Sequence, residues 1–315
     1  MQSHDVEYFI DGVRYVGHMA TPDGDGVRPA VLVCHEGPGM TEHPRWRARR
    51  LADELGYVAF ALDYWGDGQP LPADILWPTF EKLRADKALT RQRAQAGLDV
   101  LLAHPRADRS RVASIGYCFG GTMSLELGRA GVPLQAMVGF HSGLQNSDPS
   151  DAANITGKVL VFIGADDPAI PPEQRLEFEQ SMRDAGVDWQ MILYSQAEHS
   201  FTNKDADRPG FRYHERTDRR SWRAMVDFLA EVFGLFAHAN VLQRDMYPSA
   251  TKFESEIVAM TASMLRADAV TEADQREQMQ AQARMQLEQQ QAQHEATLDQ
   301  LRFQHEAQLA EWKAQ

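Results

Sequence analysis

Cysteine is almost missing from this chain, with only Cys34 and Cys118 in 315 residues. That excludes a disulfide framework and a zinc site built from thiolates alone. Long apolar runs are missing too: nothing approaches the roughly 18 consecutive apolar residues of a membrane span. The start, MQSHDVEYFIDG, has no apolar stretch flanked by basic residues, so the expectation is a cytoplasmic protein with no membrane partner. Positive charge is in deficit, with 32 Lys+Arg against 45 Asp+Glu and a formal net charge of −13. The deficit runs through both parts of the chain, 26 against 34 in residues 1–248 and 6 against 11 in 249–315. Nucleic acid and anionic membranes are poor partners for such a surface. Glycine and proline disappear altogether from the 67 residues that follow Pro248.

What is present is an ordinary globular composition, 43% hydrophobic and 24% charged, in a chain long enough for one large domain with something appended. The opening VEYFIDGVRYVGHMATP alternates apolar and polar residues around Asp11-Gly12, which predicts two antiparallel edge strands joined by a tight turn. Six nearly continuous apolar runs follow: PAVLVCH, YVAFALDY, RVASIGY, LQAMVGFH, KVLVFIG and WQMILYS. Runs of this kind suit strands buried on both faces of a parallel sheet. Between them lie stretches with helical spacing, PRWRARRLADELG, a long one from about Thr79 to His104, GGTMSLELGRAG and PPEQRLEFEQSMRDAG. The alternation predicts a doubly wound, mostly parallel α/β domain over residues 1–240, closing near 237 with the helix SWRAMVDFLAEVFGLF. Residues 241–270 read as a helical linker. Residues 271–315 read as a Gln-rich long helix or weak coiled coil, whose heptad from Leu287 to Trp312 carries too many polar seam positions for a strong one. Self-association through this C-terminal helix is the one protein partnership the tail suggests.

The chemistry concentrates in RVASIGYCFGGTMSLELG, a buried strand, a glycine-flanked Cys118 and a helix. That is the strand-turn-helix form of a nucleophile elbow with Cys in the place usually held by Ser. A helix N-terminus offers free N–H groups and a positive dipole end, both favourable to an anionic sulfur. On such a fold the acid and the base follow the nucleophile in that order. Asp166 and Asp167 leave the end of KVLVFIG, and His199 lies on the loop after WQMILYS. The spacing alone leaves open which aspartate orients the imidazole. Earlier, the strand ending at Cys34 runs into His35, Glu36 and Gly37. The loop at this point supplies one oxyanion-hole N–H and the residue after the nucleophile the other, here Gly37 and Phe119. Glu36 should project beside Cys118, where its carboxylate could hydrogen-bond the thiol. His35, Glu36 and His43 lack the spacing of a His-Glu-x-x-His zinc motif, so neither a metal nor a cofactor is expected.

These motifs resemble the dienelactone hydrolases, the carboxymethylenebutenolidase family of the α/β-hydrolase fold, over residues 6 to 237. The resemblance rests on G-Y-C-F-G-G at 116–121, H-E-G at 35–37, A-L-D-Y-W-G at 61–66, D-D-P-A-I-P at 166–171 and E-H-S-F-T at 198–202. It implies a small-molecule ester or lactone substrate, Cys118 as nucleophile, His199 as base, Asp167 as the acid and Glu36 as the carboxylate that meets the resting thiol. It also implies a departure. Characterised bacterial members carry a substrate-binding arginine shortly after the histidine, where this chain has Thr202-Asn203. A second, short similarity, between residues 244–265 and a segment of pyridoxal-phosphate decarboxylases, has no cofactor domain after it, and no function is carried over from it. An acyltransferase or peptidase using the same triad, and a non-catalytic scaffold assembled by the tail, are the alternative readings.

Overall fold

The computed structural model describes residues 1–146 and 148–234. Strands β1 (Gln2–Ile10) and β2 (Val13–Thr21) form the expected hairpin, turned by Asp11 and Gly12 at φ of 50° and 79°. They open an eight-stranded sheet that continues with β3 (Arg28–Cys34), β4 (Val58–Leu62), β5 (Ala107–Tyr117), β6 (Ala136–Phe140), β7 (Lys158–Gly164) and β8 (Trp189–Tyr194). The spatial order is β1-β2-β4-β3-β5-β6-β7-β8, with β2 antiparallel to β4 and every pairing from β4 to β8 parallel. The chain steps outward from β3 to β4 and then returns to place β5 on the other side of β3. That reversal opens a crevice beyond the C-terminal ends of β3 and β5, the place where open α/β sheets bind ligands.

Each central strand is buried on both faces, and its side chains alternate between two apolar cores. Val31 and Val33 of β3 enter one core and Leu32 the other; Ala59 and Ala61 of β4 likewise oppose Phe60. One core is covered by α1 (Glu42–Leu55) and α6 (Glu215–Val232), through Leu51, Trp222 and Met225. The other is covered by α3 (Lys87–Ala103), α4 (Phe119–Arg129) and α5 (Pro172–Asp184), through Leu98, Leu125 and Phe178. Each fully buried Leu or Phe contributes about 1.5–3 kcal/mol, which makes the two-sided cover the main source of stability. This is the mostly parallel, doubly wound α/β-hydrolase arrangement.

Two elements differ from the reading of the sequence. The run from Thr79 to His104 is not one helix: α2 (Ala73–Ala85) starts earlier, and α3 begins anew after Asp86, which is extended at φ −109° and ψ 91°. The Asp86 carboxylate accepts the Leu89 N–H at 2.9 Å, so a residue better suited to capping than to a helix interior starts a second helix. The last helix starts at Glu215, ahead of Ser221, because its first turns bury Thr217 and Asp218 as well as Trp222. The domain boundary near 240, the linker 241–270, the helix 271–315 and its self-association lie outside the described residues. Among the described residues, no helix is long and apolar enough to cross a membrane.

Candidate active site

At the end of β5 the backbone turns sharply at Cys118, whose φ of 55° and ψ of −120° lie far from any relaxed conformation for a side-chain-bearing residue. Such strain costs about 1–3 kcal/mol and persists only where the surroundings impose it. Here the Cys118 N–H donates to the Phe140 carbonyl at 3.0 Å, and the Gly121 N–H donates to the Cys118 carbonyl at 3.1 Å. The flanking glycines are required by contact. A Cβ on Gly116 would lie 2.0 Å from the Gly120 carbonyl oxygen, and one on Gly120 would lie 2.2 Å from that of Cys34. Both obstacles are backbone and cannot swing aside. Cys118 is half-buried and precedes α4, so the Phe119 N–H is the first free donor of a helix.

The loops after β7 and β8 are laced together. The Asp166 N–H donates to the Ala197 carbonyl at 3.1 Å, and a Cβ on Gly164 would lie 2.1 Å from the same oxygen. Of the two aspartates, Asp166 is exposed and Asp167 is buried. The His199 Nδ1–H donates to Asp167 Oδ2 at 2.8 Å, while Asp167 Oδ1 accepts the Ala169 N–H at 2.8 Å. With Nδ1 so committed, Nε2 is free to face Cys118. Burial alone would lower the pKa of this imidazole. The adjoining Cys118 sulfur and the hydrogen bonds to Asp167 and Cys118 outweigh it and push the pKa up to about 10. Cys118, His199 and Asp167 therefore form one connected group at the mouth of the crevice.

The loop carrying Glu36 and Gly37 is pinned by the segment after β4. Tyr64 stacks on His35 with ring centroids 3.5 Å apart, and the Trp65 Nε1–H donates to the Gly37 carbonyl at 2.7 Å. The turn holding those aromatics is fixed in its turn by the buried Asp63 carboxylate, which accepts N–H groups from Val16, Trp65, Gly66 and Gly68. Glu36 is buried, and its pKa is raised by that burial. Its Oε2 accepts the amide N–H of Asn203, whereas Oε1 has no hydrogen-bond partner. In this structure the Glu36 carboxylate is tied to the neutral amide of Asn203.

Three further side chains reach this site: His141 and Arg47, which the sequence did not single out, and His43, which it weighed only for a metal motif. His141, just beyond β6, accepts the Cys118 N–H on Nδ1 at 3.2 Å, lies on Nε2 2.8 Å from Thr202 Oγ1, and packs edge-on against His199 at 5.2 Å between ring centroids. His43 Nε2 accepts from Arg47 Nε at 3.3 Å, and Arg47, fully buried, also donates to Asp218 and to the Thr202 carbonyl. Burial drives the pKa values of His43 and His141 well below the ordinary imidazole value, so both rings are neutral. The remaining nitrogen of His43, Nδ1, comes within 4.0 Å of Glu36 Oε2, and His141 Nε2, besides meeting Thr202, lies 3.8 Å from Glu36 Oε1. The usable signal for His141 was its place at the end of a parallel strand beside the elbow. Among the described residues, no group of three or more His, Cys, Asp or Glu side chains is arranged to hold a metal ion.

A doubly wound sheet with an elbow cysteine and a histidine–aspartate pair after its last strands defines an α/β-hydrolase. Residues 16–233 match the Dienelactone hydrolase family, and the chain belongs to that family. It is 32% identical over 223 residues, 67% of this chain and 80% of the relative, to a Salmonella typhimurium protein named "Putative carboxymethylenebutenolidase". It is also similar to a dienelactone hydrolase-like promiscuous phosphotriesterase from metagenomic libraries, with 41% identity and a TM-score of 0.71, covering 73% of this chain and 98% of that one. A Klebsiella pneumoniae protein named "Putative Dienelactone Hydrolase", at 24% identity and a TM-score of 0.62 over 73% of this chain and 98% of its own, shares the fold.

Proposed function

We propose that this chain hydrolyses esters or lactones of small carboxylic acids through a thioester on Cys118. The observation that carries this reading is a strained Cys118 at the N-terminus of α4, at the same end of the sheet as a buried His199 whose Nδ1 is held by Asp167. In the first half-reaction Cys118 Sγ attacks the carbonyl carbon, its proton residing on His199 Nε2. The oxyanion forms against the N–H groups of Gly37 and Phe119. Collapse breaks the C–O bond, and the alcohol leaves with the proton from His199. Water then enters, gives a proton to His199, and attacks the thioester. Collapse breaks the C–S bond, the carboxylic acid departs, and the released sulfur is again paired with the proton held by His199. Asp167 keeps the imidazole in the tautomer and orientation both halves need. Glu36 stands by as the carboxylate that can approach the thiol when it lets go of Asn203.

The same thioester could be intercepted by an amine or an alcohol, which would make the chain an acyltransferase or peptidase. The relative named a phosphotriesterase makes an aryl phosphotriester a useful third class of substrate. The test is turnover of aryl esters, lactones and an aryl phosphotriester by the wild type and by Cys118→Ala. Loss of all turnover in the folded variant is expected, with hydrolysis outrunning transfer to added amines or alcohols. Undiminished hydrolysis by Cys118→Ala would contradict the assignment, whereas Cys34→Ala, deep in the core, should cost only packing.

A further inference from the structure

Helix α2 buries only Leu83 and turns its middle to solvent, where Ile75 is 45% and Trp77 67% exposed. Large apolar side chains this open are informative when they are organised rather than scattered. These are organised: the Trp77 ring lies parallel to Phe80 at 5.2 Å between centroids, and Phe80 meets the edge of Phe119 at 5.1 Å. Phe119 is the residue after Cys118, and its ring in turn packs edge-on against Tyr64 at 6.0 Å. A continuous line of rings therefore runs from open solvent to the residue whose N–H faces the reacting carbonyl. Each successive contact in that line is ring to ring. Glu81, Lys82 and Arg84 come after Phe80, and Arg84 is engaged by Glu81 and Gln145.

We propose that the Trp77–Phe80 stack is the subsite for a bulky, uncharged apolar group of the substrate, so that the preferred substrates are aromatic esters rather than esters bearing a second carboxylate. This rests on the reading of Cys118 as the reacting centre. The occupant is the ester itself because the inner end of the stack is Phe119: a group joined to an acyl carbon at Cys118 has that wall beside it. A protein docked over the same rings would close the entrance. An aromatic partner gains from an offset or edge contact with these rings beyond its burial, whereas a carboxylate set against apolar ring faces would lose its hydration without gaining a hydrogen bond from them.

The experiment compares ethyl acetate, ethyl 3-phenylpropanoate, benzyl acetate and monoethyl succinate in a pH-stat, for wild type, Trp77→Ala, Trp77→Phe and Phe80→Ala. Wild type should favour at least one of the two aromatic esters in kcat/KM and disfavour the succinate. Trp77→Ala should lower the aromatic-to-acetate ratio by about tenfold, mostly in KM, with partial recovery in Trp77→Phe. Trp77 is exposed, so its variants do not depend on repacking; thermal unfolding verifies that Phe80→Ala is folded. No aromatic preference in the wild type, or a ratio unchanged in both alanine variants, or an equal loss on all four esters, would overturn the proposal. The ratio does not depend on which group attacks the carbonyl. Retained activity in Cys118→Ala would therefore refute the nucleophile while leaving the subsite result readable.

Discussion

The two sides of the crevice are built on opposite principles. On one side Arg47, His43, Thr202, His141 and Glu36 form a buried polar lattice, tied to Asp218 and to the Cys118 N–H. On the other, Trp77 and Phe80 lie on a helix with little buried surface of its own. Buried polar groups are costly unless each finds its partner, so the first wall tolerates very few geometries. The aromatic wall has no directional demands and can accept rings of different outline. In the proposed reaction the difference separates the work: one wall would hold the thiol, imidazole and carboxylate in register, and the other would select what is delivered to them.

Changes on the polar side should have the larger effects. Asp167→Asn should reduce kcat by up to about 10⁴-fold, as tautomer disruption does in a comparable triad, while Asp166→Asn, at an exposed position, should stay near wild type. Steady-state kinetics on one aryl ester makes the comparison, and the reverse ranking would move the orienting role to Asp166.

Acid should loosen the same wall before the other. His43 and His141 have folded pKa values well below 6.5, and burial brings that of His35 down to about 4. The unfolded chain therefore binds more protons than the folded one below about pH 6.5, and stability falls as pH drops from there, by up to about 1.4 kcal/mol per pH unit for each such histidine. His199 acts in the opposite direction. Its raised pKa contributes stability that is complete below 6.5 and lost as pH rises towards about 10. Urea unfolding from pH 4.5 to 9.5 should show decline on both limbs. His141→Phe should be less stable at pH 7 by about 1–3 kcal/mol, through the lost hydrogen bond to the Thr202 hydroxyl and one lost partner of the Cys118 N–H, but should show a shallower acid limb. An unchanged acid slope would mean that His141 is not held neutral by its burial.

The smallest effect is expected from the region beyond the domain. Ending the chain near residue 240 should leave a folded esterase, because the sheet, Cys118, Asp167 and His199 all precede that point. Thermal unfolding and activity of chains ending near 240, near 270 and at 315 make the comparison. If only the chain ending near 240 fails, residues 244–265 belong to the core. If only the full chain works, the Gln-rich segment has a structural role.

What was legible in the sequence followed from local chemistry. Glycines at 116 and 120 announce a turn that no other residue can make, and apolar runs of seven or eight residues announce parallel strands, with Cys118, Asp167 and His199 following the ends of three of them. The choice of Asp167 over its neighbour needed the family resemblance, since adjacent aspartates are equivalent to spacing rules until one of them is buried. Other features were set by contacts distant in sequence. Asn203 meets Glu36 only when the loop after β8 folds over that after β3, and His141 looks like the last residue of a strand until β5 and β6 are paired. The break at Asp86 was a local signal passed over, because helical periodicity continues across it. The Trp77–Phe80 pair, three residues apart on α2, has the spacing of an ordinary core face, and only its exposure distinguishes it.

The central claim is that the acyl group passes through Cys118. Its most direct test is to mix the enzyme with a slowly deacylating aryl ester, quench in acid within the burst, and analyse the peptides by mass. The account predicts one added acyl group on the peptide carrying Gly116-Tyr117-Cys118-Phe119, labile to hydroxylamine as a thioester is, and none in Cys118→Ala. An acyl group on any other residue, or full turnover without one on Cys118, would contradict it.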